Sequence, residues 1–282
     1  TLFPYTTLFR SGGMGSIKEL RSTTGRLSWA GGILPRLRWT VNVLYATLKD
    51  VEREQQDGTE ERRAAGREDT RSKVGLFPIK RLGGVHLWLL KLFENPVENL
   101  IRIERMKKPK VSWGIITDAS PKGWGAILVK VLDAHPKQLV PVEAVEGLIT
   151  ENEAKLLRVD YGESSSQAVM EALAIVRAVD KWGQKFHERA ILIRSDSSVA
   201  LAMTKRLSSP HPSLNFLAAE LVLRLEKYQV QPVALHHLRG TWNEEADWLS
   251  RIVEREGTPG PAGLEVVRLK RAPPWKSSHF RL

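Results

Sequence analysis

Four acidic residues hold comparable places in the elements that the sequence predicts. In this chain of 282 residues, Asp118 and Asp196 each end a predicted strand, while Glu171 and Asp247 lie on predicted helices. Carboxylates brought close together raise one another's pKa and destabilise a fold, and a divalent cation removes that cost. Carboxylate oxygens at an open site suit Mg²⁺ or Mn²⁺, and two such ions can activate water and stabilise the leaving oxygen of a phosphodiester. The four acids together therefore indicate a site for two Mg²⁺ ions, with Mn²⁺ as an alternative, and phosphoryl-transfer chemistry.

Each acid also has an ordinary explanation. Asp118 precedes an Ala-Ser-Pro turn, where aspartate is common because its side chain favours turn geometry. A helical glutamate such as Glu171 usually belongs to a solvated face, and an aspartate after a strand such as Asp196 is usually a helix cap. Asp247 has the alternative of facing solvent beside Asn-Glu-Glu. The prediction of a metal site therefore depends on the four acids occurring together.

The elements that would position these acids follow an α/β order. Two apolar runs joined by a Pro-Lys-Gly turn predict a hairpin, and a third strand follows at residues 138–145, where Pro141 confines it to an edge or a bulge. The five predicted strands are residues 111–118, 124–131, 138–145, 189–196 and 231–238. Apolar residues at helical spacing predict helices at residues 163–182, 197–207, 213–228 and 241–256. This order is typical of a mixed α/β fold.

The charge of the chain favours a polyanionic partner. The formal net charge of +11 is unevenly placed: residues 1–110 carry +9, residues 111–255 carry −1, and residues 256–282 carry +3. Basic segments on both sides of a nearly neutral one suit nucleic acid, although solubility alone is an alternative explanation. The absence of cysteine excludes disulfides, cysteine-ligated zinc and thiol catalysis, and fits a reducing, intracellular compartment. No apolar run is long enough to predict a membrane span.

The two ends of the chain differ from its centre. Residues 1–11 resemble a translated sequencing adapter, and we expect residues 1–26 to be disordered or artefactual. The chain begins at Thr1 without methionine, which suggests a piece of a longer polyprotein. Residues 49–73 contain one apolar side chain larger than alanine and are predicted to be a linker or a solvated helix. Residues 257–282, rich in Gly, Pro and basic residues, predict a basic disordered tail.

Four motifs in this order resemble a known family. The stretches "TDASPKGWGAIL", "QAVMEALAIVRAV", "IRSDSSVALA" and "HHLRGTWNEEADWLSR" resemble the ribonuclease H domain of reverse transcriptases from long-terminal-repeat and DIRS-type retrotransposons. The resemblance covers about residues 111–252. It implies a ribonuclease H-like α/β fold, in which helices flank a mixed five-stranded sheet of three antiparallel strands followed by two parallel strands.

The resemblance also implies roles for individual residues. The catalytic, metal-binding carboxylates would be Asp118, Glu171, Asp196 and Asp247. His237 would be the histidine of a mobile loop that assists proton transfer or product release. The substrate backbone would approach the hairpin at Ser120, Gly123 and Gly125, since glycine permits close approach. Asn243 is expected to cap the last helix rather than to contact substrate.

The implied activity is hydrolysis of the RNA strand of RNA–DNA hybrids during retroelement reverse transcription. The alternative is a catalytically inactive ribonuclease H-like module that binds hybrid or serves as a connection. A transposase or integrase of the same fold class is disfavoured, because its last acid is typically a helical glutamate and it lacks an acid corresponding to Glu171.

The segment before the predicted nuclease resembles part of a reverse transcriptase. Residues 27–110 are predicted to be a remnant of its thumb or connection, with the charged segment 49–73 inside it, and residues 111–256 form the nuclease domain. No "[YF]-x-D-D" polymerase signature occurs in the chain, so polymerase activity is not expected. The expected partners are the RNA–DNA hybrid and the polymerase part of the same polyprotein, without a membrane.

Overall fold

The computed structural model describes residues 13–64, 76–93, 110–132, 138–238, 243–255 and 266–269. Those up to residue 93 fall into one compact unit, and those from residue 110 onward fall into a second. Among the helices of these residues, none has the length and apolar character that crossing a membrane requires.

The first unit combines helices with a small two-stranded sheet. In chain order its elements are β1 (Met14–Ser16), α1 (Ile17–Ile33), α2 (Arg38–Ala64), β2 (Leu76–Pro78) and α3 (Gly83–Phe93). Strands β1 and β2 pair antiparallel. One cluster of buried apolar side chains holds α1, α2 and the segment around β2 together, namely Ile17, Leu20, Leu27, Leu44, Val51, Phe77 and Leu82.

Residues 14–26 are folded, so the prediction that residues 1–26 are disordered is wrong for that part. They form β1 and the first half of α1. The helix begins with a capping box: the Glu19 N–H donates to Ser16 Oγ at 3.2 Å, and the Ser16 N–H donates to Glu19 Oε2 at 3.2 Å. The suspected adapter, residues 1–11, lies outside the described residues.

The charged segment at residues 49–73 continues α2 as far as Ala64. Val51, its one large apolar side chain, is buried in the core of the unit. On the solvated side, Arg21 Nη2 lies 2.6 Å from Glu52 Oε1. The solvated-helix interpretation is therefore correct for residues 49–57, and residues 65–73 lie outside the described residues.

The second unit is built around a six-stranded mixed sheet. Its strands are β3 (Val111–Ala119), β4 (Gly123–Leu132), β5 (Gln138–Leu148), β6 (Ala190–Ser195), β7 (Gln231–His237) and β8 (Val266–Leu269). Their order across the sheet is β7-β6-β3-β4-β5-β8. Strands β3, β4 and β5 form an antiparallel set, and β6 and β7 extend it in parallel from β3. The predicted α/β class and the predicted arrangement of five strands are confirmed.

The sixth strand corrects the predicted tail. The prediction that residues 257–282 are disordered is wrong for β8, which pairs in parallel with residues 144–147 of β5. Arg268 on β8 places its Nε 2.7 Å from Oε1 of Glu146 on β5. The fold therefore extends past the predicted boundary at residue 256, and the rest of the tail lies outside the described residues.

Pro141 marks an irregularity in β5. It lies opposite Val129, where the pairing with β4 shifts register at a bulge, and outside the stretch of β5 that β8 covers. Proline has no N–H to donate to a neighbouring strand. The prediction that Pro141 confines this strand to an edge or a bulge is confirmed.

Helices of the second unit flank the sheet. They are α4 (Glu151–Leu157), α5 (Gln167–Trp182), α6 (Ser198–Arg206), α7 (Pro212–Tyr228) and α8 (Glu244–Ser250). Helix α5 packs against β3, β4 and α7, and every residue from Val169 through Val179 is buried. A helix that is buried on all sides belongs to the core of the domain. Packing against the sheet and α7 therefore fixes the position of α5 in this unit.

Helix α8 covers one face of the sheet near the end of β3. Ala246 and Leu249 on the helix pack with Ile127 and Val129 of β4 and with Ala144 of β5. Since alternate residues of a strand point to opposite faces, α8 covers the odd-numbered face of β4. This contact brings the last helix of the unit to the first strand pair.

Candidate metal centre

Asp118 lies near the carboxyl end of β3, on the face that α8 covers. It is directly opposite Gly125 of β4, and a Cβ at Gly125 would lie 2.3 Å from Leu249 Cβ of α8. Residues directly opposite each other on an antiparallel pair share a face, so Asp118 is on the α8 side. The side chain is buried, and Asn243 Nδ2 donates to Asp118 Oδ1 at 2.9 Å. Asp118 therefore lies inside β3, one residue before its end, and does not itself start the turn.

Asp196 follows β6 at the same level of the sheet. Strand β6 runs parallel to β3 with Ile116 opposite Arg194, so two positions further along, Asp118 and Asp196 come side by side. Asp196 is half-buried. Helix α6 is capped by Ser197, whose Oγ accepts a backbone N–H of the first turn at 3.2 Å. The cap explanation of Asp196 is therefore wrong, because the next residue has that role.

Glu171 reaches the same point from α5. Its buried carboxylate accepts, at Oε1, hydrogen bonds from the Ala119 N–H at 3.2 Å and from Gln167 Nε2 at 2.9 Å. Gln167 Nε2 also donates to the carbonyl oxygen of Ala119. These bonds link the helix to the end of β3, so the explanation of Glu171 as part of a solvated face is wrong.

The three carboxylates form one group. Oxygen atoms of Asp118, Glu171 and Asp196 all lie within 4.8 Å of one another. Oε2 of Glu171 is buried and has no hydrogen-bond partner among the described residues, which is a costly state for a carboxylate oxygen. A divalent cation is a suitable partner for it, since three carboxylates converging from different elements supply the oxygen ligands that Mg²⁺ takes. The residues therefore fit a metal ion.

The proton affinity of Glu171 is strongly altered by its surroundings. Burial raises the pKa of Glu171 to about 9, and the charges of Asp118 and Asp196 add to the rise. Hydrogen bonds from the Ala119 N–H and the Gln167 amide act in the opposite direction. Glu171 therefore carries a proton near neutral pH unless a cation binds, because metal ligation requires the carboxylate form.

The surroundings of Asp118 raise its pKa as well. Burial raises the pKa of Asp118 to about 7, and the charges of Asp196 and Asp247 raise it further. Hydrogen bonds from Ser250 and Asn243 lower it. Perturbed carboxyl groups grouped in this way are typical of functional sites.

Asp247 lies outside the group of three. Its carboxylate is 42% exposed, and Arg251 Nε lies 2.8 Å from both of its oxygens. Its place in a metal site of four acids therefore stays a prediction, and in this structure Asp247 pairs with Arg251 instead. The reason is electrostatic, since an arginine one helical turn away neutralises Asp247, whereas a place beside the other three would add repulsion. It is nevertheless near enough to Asp118 for its charge to raise the pKa of that carboxyl.

His237 lies at the same edge of the sheet as the three carboxylates. It is the exposed last residue of β7 and lies opposite Ser195, the residue before Asp196. The resemblance predicts a histidine on a mobile loop, whereas the structure places it at a strand end, before residues 239–242 that lie outside the described ranges. Its role in proton transfer or product release stays a prediction.

The hairpin residues predicted to contact substrate contact the chain itself. A Cβ at Gly123 would lie 2.2 Å from the carbonyl oxygen of Ser250, and one at Gly125 would meet Leu249. Ser120 Oγ donates to the Ser250 carbonyl at 2.9 Å and accepts the Gly123 N–H at 3.0 Å. The chain segment that approaches them closely is α8, and substrate contact at Ser120, Gly123 and Gly125 stays a prediction.

Three further side chains take part in the site. Gln167 orients Glu171, and Asn243 bonds to Asp118 instead of capping α8 with its side chain. Arg251 pairs with Asp247. Spacing offered a signal for two of them, since Gln167 precedes Glu171 by four residues, as Asp247 precedes Arg251, and residues four apart are neighbours on a helix. No sequence signal separates the role of Asn243 from that of a cap.

Comparison with known proteins gives structural matches alone. No family model matches the sequence, and no curated protein is significantly similar to it. LC11-RNase H1 in complex with an RNA/DNA hybrid is 18% identical, with a TM-score of 0.36, over 49% of this chain and 92% of that one. The N-terminal RNase H domain of a Mycobacterium tuberculosis protein, fused to maltose-binding protein, is 17% identical, with a TM-score of 0.35, over 50% and 92%. RNase H1 from the halophilic archaeon Halobacterium salinarum is 19% identical, with a TM-score of 0.33, over 49% and 92%.

Proposed function

We propose that the second unit is an endonuclease that hydrolyses the RNA strand of RNA–DNA hybrids with two Mg²⁺ ions. The observation that carries the proposal is the group formed by Asp118, Glu171 and Asp196, whose oxygens lie within 4.8 Å of one another although the residues come from three separate elements. Mutual repulsion and burial oppose such a group unless a cation is bound. The order of the four motifs favours hybrid hydrolysis over other phosphoryl-transfer reactions.

The chain's own residues prepare the site for this chemistry. Bound divalent cations supply activation of water and stabilisation of the leaving oxygen. Asp118, Glu171 and Asp196 would hold them, with Asp247 as the predicted fourth ligand. Gln167 and the Ala119 N–H orient one oxygen of Glu171 and leave the other without a partner among the described residues. His237 would move the proton or help product leave from the edge of the sheet.

The substrate class follows from charge and motif order. Residues 1–110 and 256–282 carry net charges of +9 and +3, which favour a polyanion and predict salt-dependent affinity. A hybrid would be recognised by its backbone shape and its 2′-hydroxyl groups rather than by sequence. The resemblance of the four motifs supports a role in retroelement reverse transcription, in which the polymerase part of the same polyprotein would supply the hybrid.

The second candidate is an inactive module that binds hybrid without cutting it. The observation that favours it is the pairing of Asp247 with Arg251, which leaves three of the four predicted carboxylates in the group. Under this alternative the same surface binds the hybrid, and the acids no longer assemble a working centre.

A cleavage assay on the full chain separates the two. Wild-type protein with Mg²⁺ should cut the labelled RNA strand of a hybrid and leave a DNA duplex whole. Asp196→Asn should reduce the rate by at least about 10²-fold, since removing one electrostatic stabiliser has effects of this size. The matched control is Asp160→Asn, an exposed aspartate that is not a member of the group, which should cut normally. Hybrid that is bound but uncut by wild type would favour the inactive module.

A further inference from the structure

Arg251 forms an ion pair with Asp247, the fourth acid predicted for the metal centre. Its Nε lies 2.8 Å from both Oδ1 and Oδ2 of Asp247, and its backbone N–H donates to the Asp247 carbonyl at 3.1 Å. On the other side, Arg251 Nη1 lies 3.3 Å from Glu254 Oε2. The guanidinium is thus held between two carboxylates and engages both oxygens with which Asp247 would bind a cation.

The position of Asp247 links its ion pair with Arg251 to the proposed metal centre. Asp247 lies one turn before the end of α8, and Asn243, just before this helix, and Ser250, at its end, contact β3 and its hairpin. Asp247 is therefore on the helix that packs beside the end of β3, and its carboxylate contacts Arg251. A carboxylate shared between an arginine and a metal ion cannot satisfy both with the same lone pairs.

We infer that Arg251 is a built-in counter-ion that competes with the divalent cation for Asp247, so that loading the full set of four acids requires release of Arg251. The inference rests on the proposed function, because it assigns Asp247 to the same metal centre. Arg251 acts through Asp247 and is a positioning residue rather than a catalytic one.

The exposure of the pair sets the size of the effect. The side chains of Arg251 and Asp247 are 52% and 42% exposed, and exposed ion pairs are weak and screened by salt. The contact therefore weakens the binding of the cation rather than preventing it. Removing the arginine should strengthen cation binding by roughly two- to fivefold, with the larger gain at low salt.

Calorimetric titration of the full chain with Mn²⁺ alone tests this without any substrate. Arg251→Gln should bind Mn²⁺ roughly two- to fivefold more tightly than wild type, and Arg251→Lys, which keeps the charge, should lie nearer to wild type. The matched control is Arg53→Gln on α2, since Arg53 also pairs with an aspartate four residues away, Asp57, at 3.9 Å. Removing that pair should leave Mn²⁺ affinity unchanged.

A double-mutant cycle distinguishes action through Asp247 from the general loss of a positive charge. In the Asp247→Asn background, Arg251→Gln should no longer change Mn²⁺ affinity. A gain of the same size with and without Asp247 would overturn the inference, as would an Arg251→Gln variant that binds no more tightly than wild type. If wild type itself binds no Mn²⁺, the proposed function fails. Tight binding by wild type with an inert Arg251→Gln variant refutes this inference alone.

Discussion

Asn243 donates a hydrogen bond from Nδ2 to Oδ1 of Asp118 at 2.9 Å, across 125 positions of sequence. Both side chains are buried. Asn243 precedes α8 and Asp118 lies near the end of β3. This one hydrogen bond therefore fixes the start of α8 against β3. The amide also opposes the effect of burial on Asp118, because its donor stabilises the carboxylate form.

The first prediction follows from that bond. Asn243→Ala removes a donor to a buried carboxylate and should destabilise the fold by about 1–3 kcal/mol. The pKa of Asp118 should rise further, so Mn²⁺ affinity near neutral pH should fall. Urea unfolding and calorimetric titration measure the two effects, with Asn152→Ala on the exposed side of α4 as the control. Unchanged Mn²⁺ affinity in Asn243→Ala would contradict the role given to this amide.

The second prediction concerns pH. The pKa values of about 7 for Asp118 and about 9 for Glu171 lie above the ordinary values near 4 that apply in the unfolded chain. Between about pH 5 and pH 7 the folded protein therefore holds more protons than the unfolded chain. Its metal-free free energy of unfolding should decrease as pH rises, on the order of 1 kcal/mol per pH unit for each group. From pH 7 to pH 9 the decrease should continue through Glu171 alone.

Added Mg²⁺ should remove much of this dependence, because the ion binds the deprotonated carboxylates and stabilises the folded state. Thermal melts across pH with and without the ion measure it. The control is Glu171→Gln, which cannot titrate and should flatten the metal-free dependence above pH 7. A metal-free stability that rises over this range would contradict the burial of these acids.

The third prediction tests the close packing of α8 on the hairpin. Gly125→Ala places a Cβ 2.3 Å from Leu249 Cβ and 2.9 Å from the Leu249 carbonyl carbon. The helix must shift, which should reduce stability by about 1–3 kcal/mol and move Asn243 away from Asp118. Gly25→Ala on α1 is the opposite case, since nothing lies within 4 Å of its added Cβ, and it should stabilise the chain by about 0.5–1 kcal/mol. Equal melting temperatures for the two variants would count against the packing described.

The fourth prediction concerns Glu146, which lies in the same row of the sheet as Asp118. Gly125 of β4 is directly opposite both of them. The buried Glu146 carboxylate pairs with the nearly buried Arg255 and with Arg268, whose side chain is 64% exposed. Glu146→Gln leaves Arg255 without its charge partner and should destabilise the fold by about 3–5 kcal/mol.

The exposed partner should matter less. Arg268→Gln should reduce stability by no more than about 1 kcal/mol, since exposed pairs contribute little. Denaturant unfolding of both variants gives the comparison, with Glu143→Gln, a half-buried partner of Lys181 and Lys185, as the control. A loss of stability from Arg268→Gln as large as that from Glu146→Gln would contradict this prediction.

Much of the fold and part of the site could be predicted from local signals. Asp118, Glu171 and Asp196 meet because strand ends and a buried helix place them, and the alternation and periodicity that mark those elements are visible in the sequence. The position of Asp247 could not be predicted in the same way. The helix that carries Asp247 could be predicted. The orientation of the Asp247 side chain could not, because it depends on whether the carboxylate pairs with Arg251 or with a cation.

Contacts between distant residues account for the other differences. The glycines at 123 and 125 indicate close approach, but a sequence does not say whether substrate or the chain's own helix approaches. Strand β8 has four residues after a Gly- and Pro-rich stretch, so its signal is weak, and its place depends on Glu146 far away in the chain. Such pairings come from tertiary packing, which overrides local propensity.

The most direct test of the central claim is the location of Mn²⁺ in crystals of the full chain by its anomalous scattering. We predict an anomalous peak in contact with the carboxylates of Asp118, Glu171 and Asp196, and its loss in Asp196→Asn crystals. Mn²⁺-soaked wild-type crystals without anomalous density beside any of these three carboxylates would contradict the metal centre and the nuclease proposed from it.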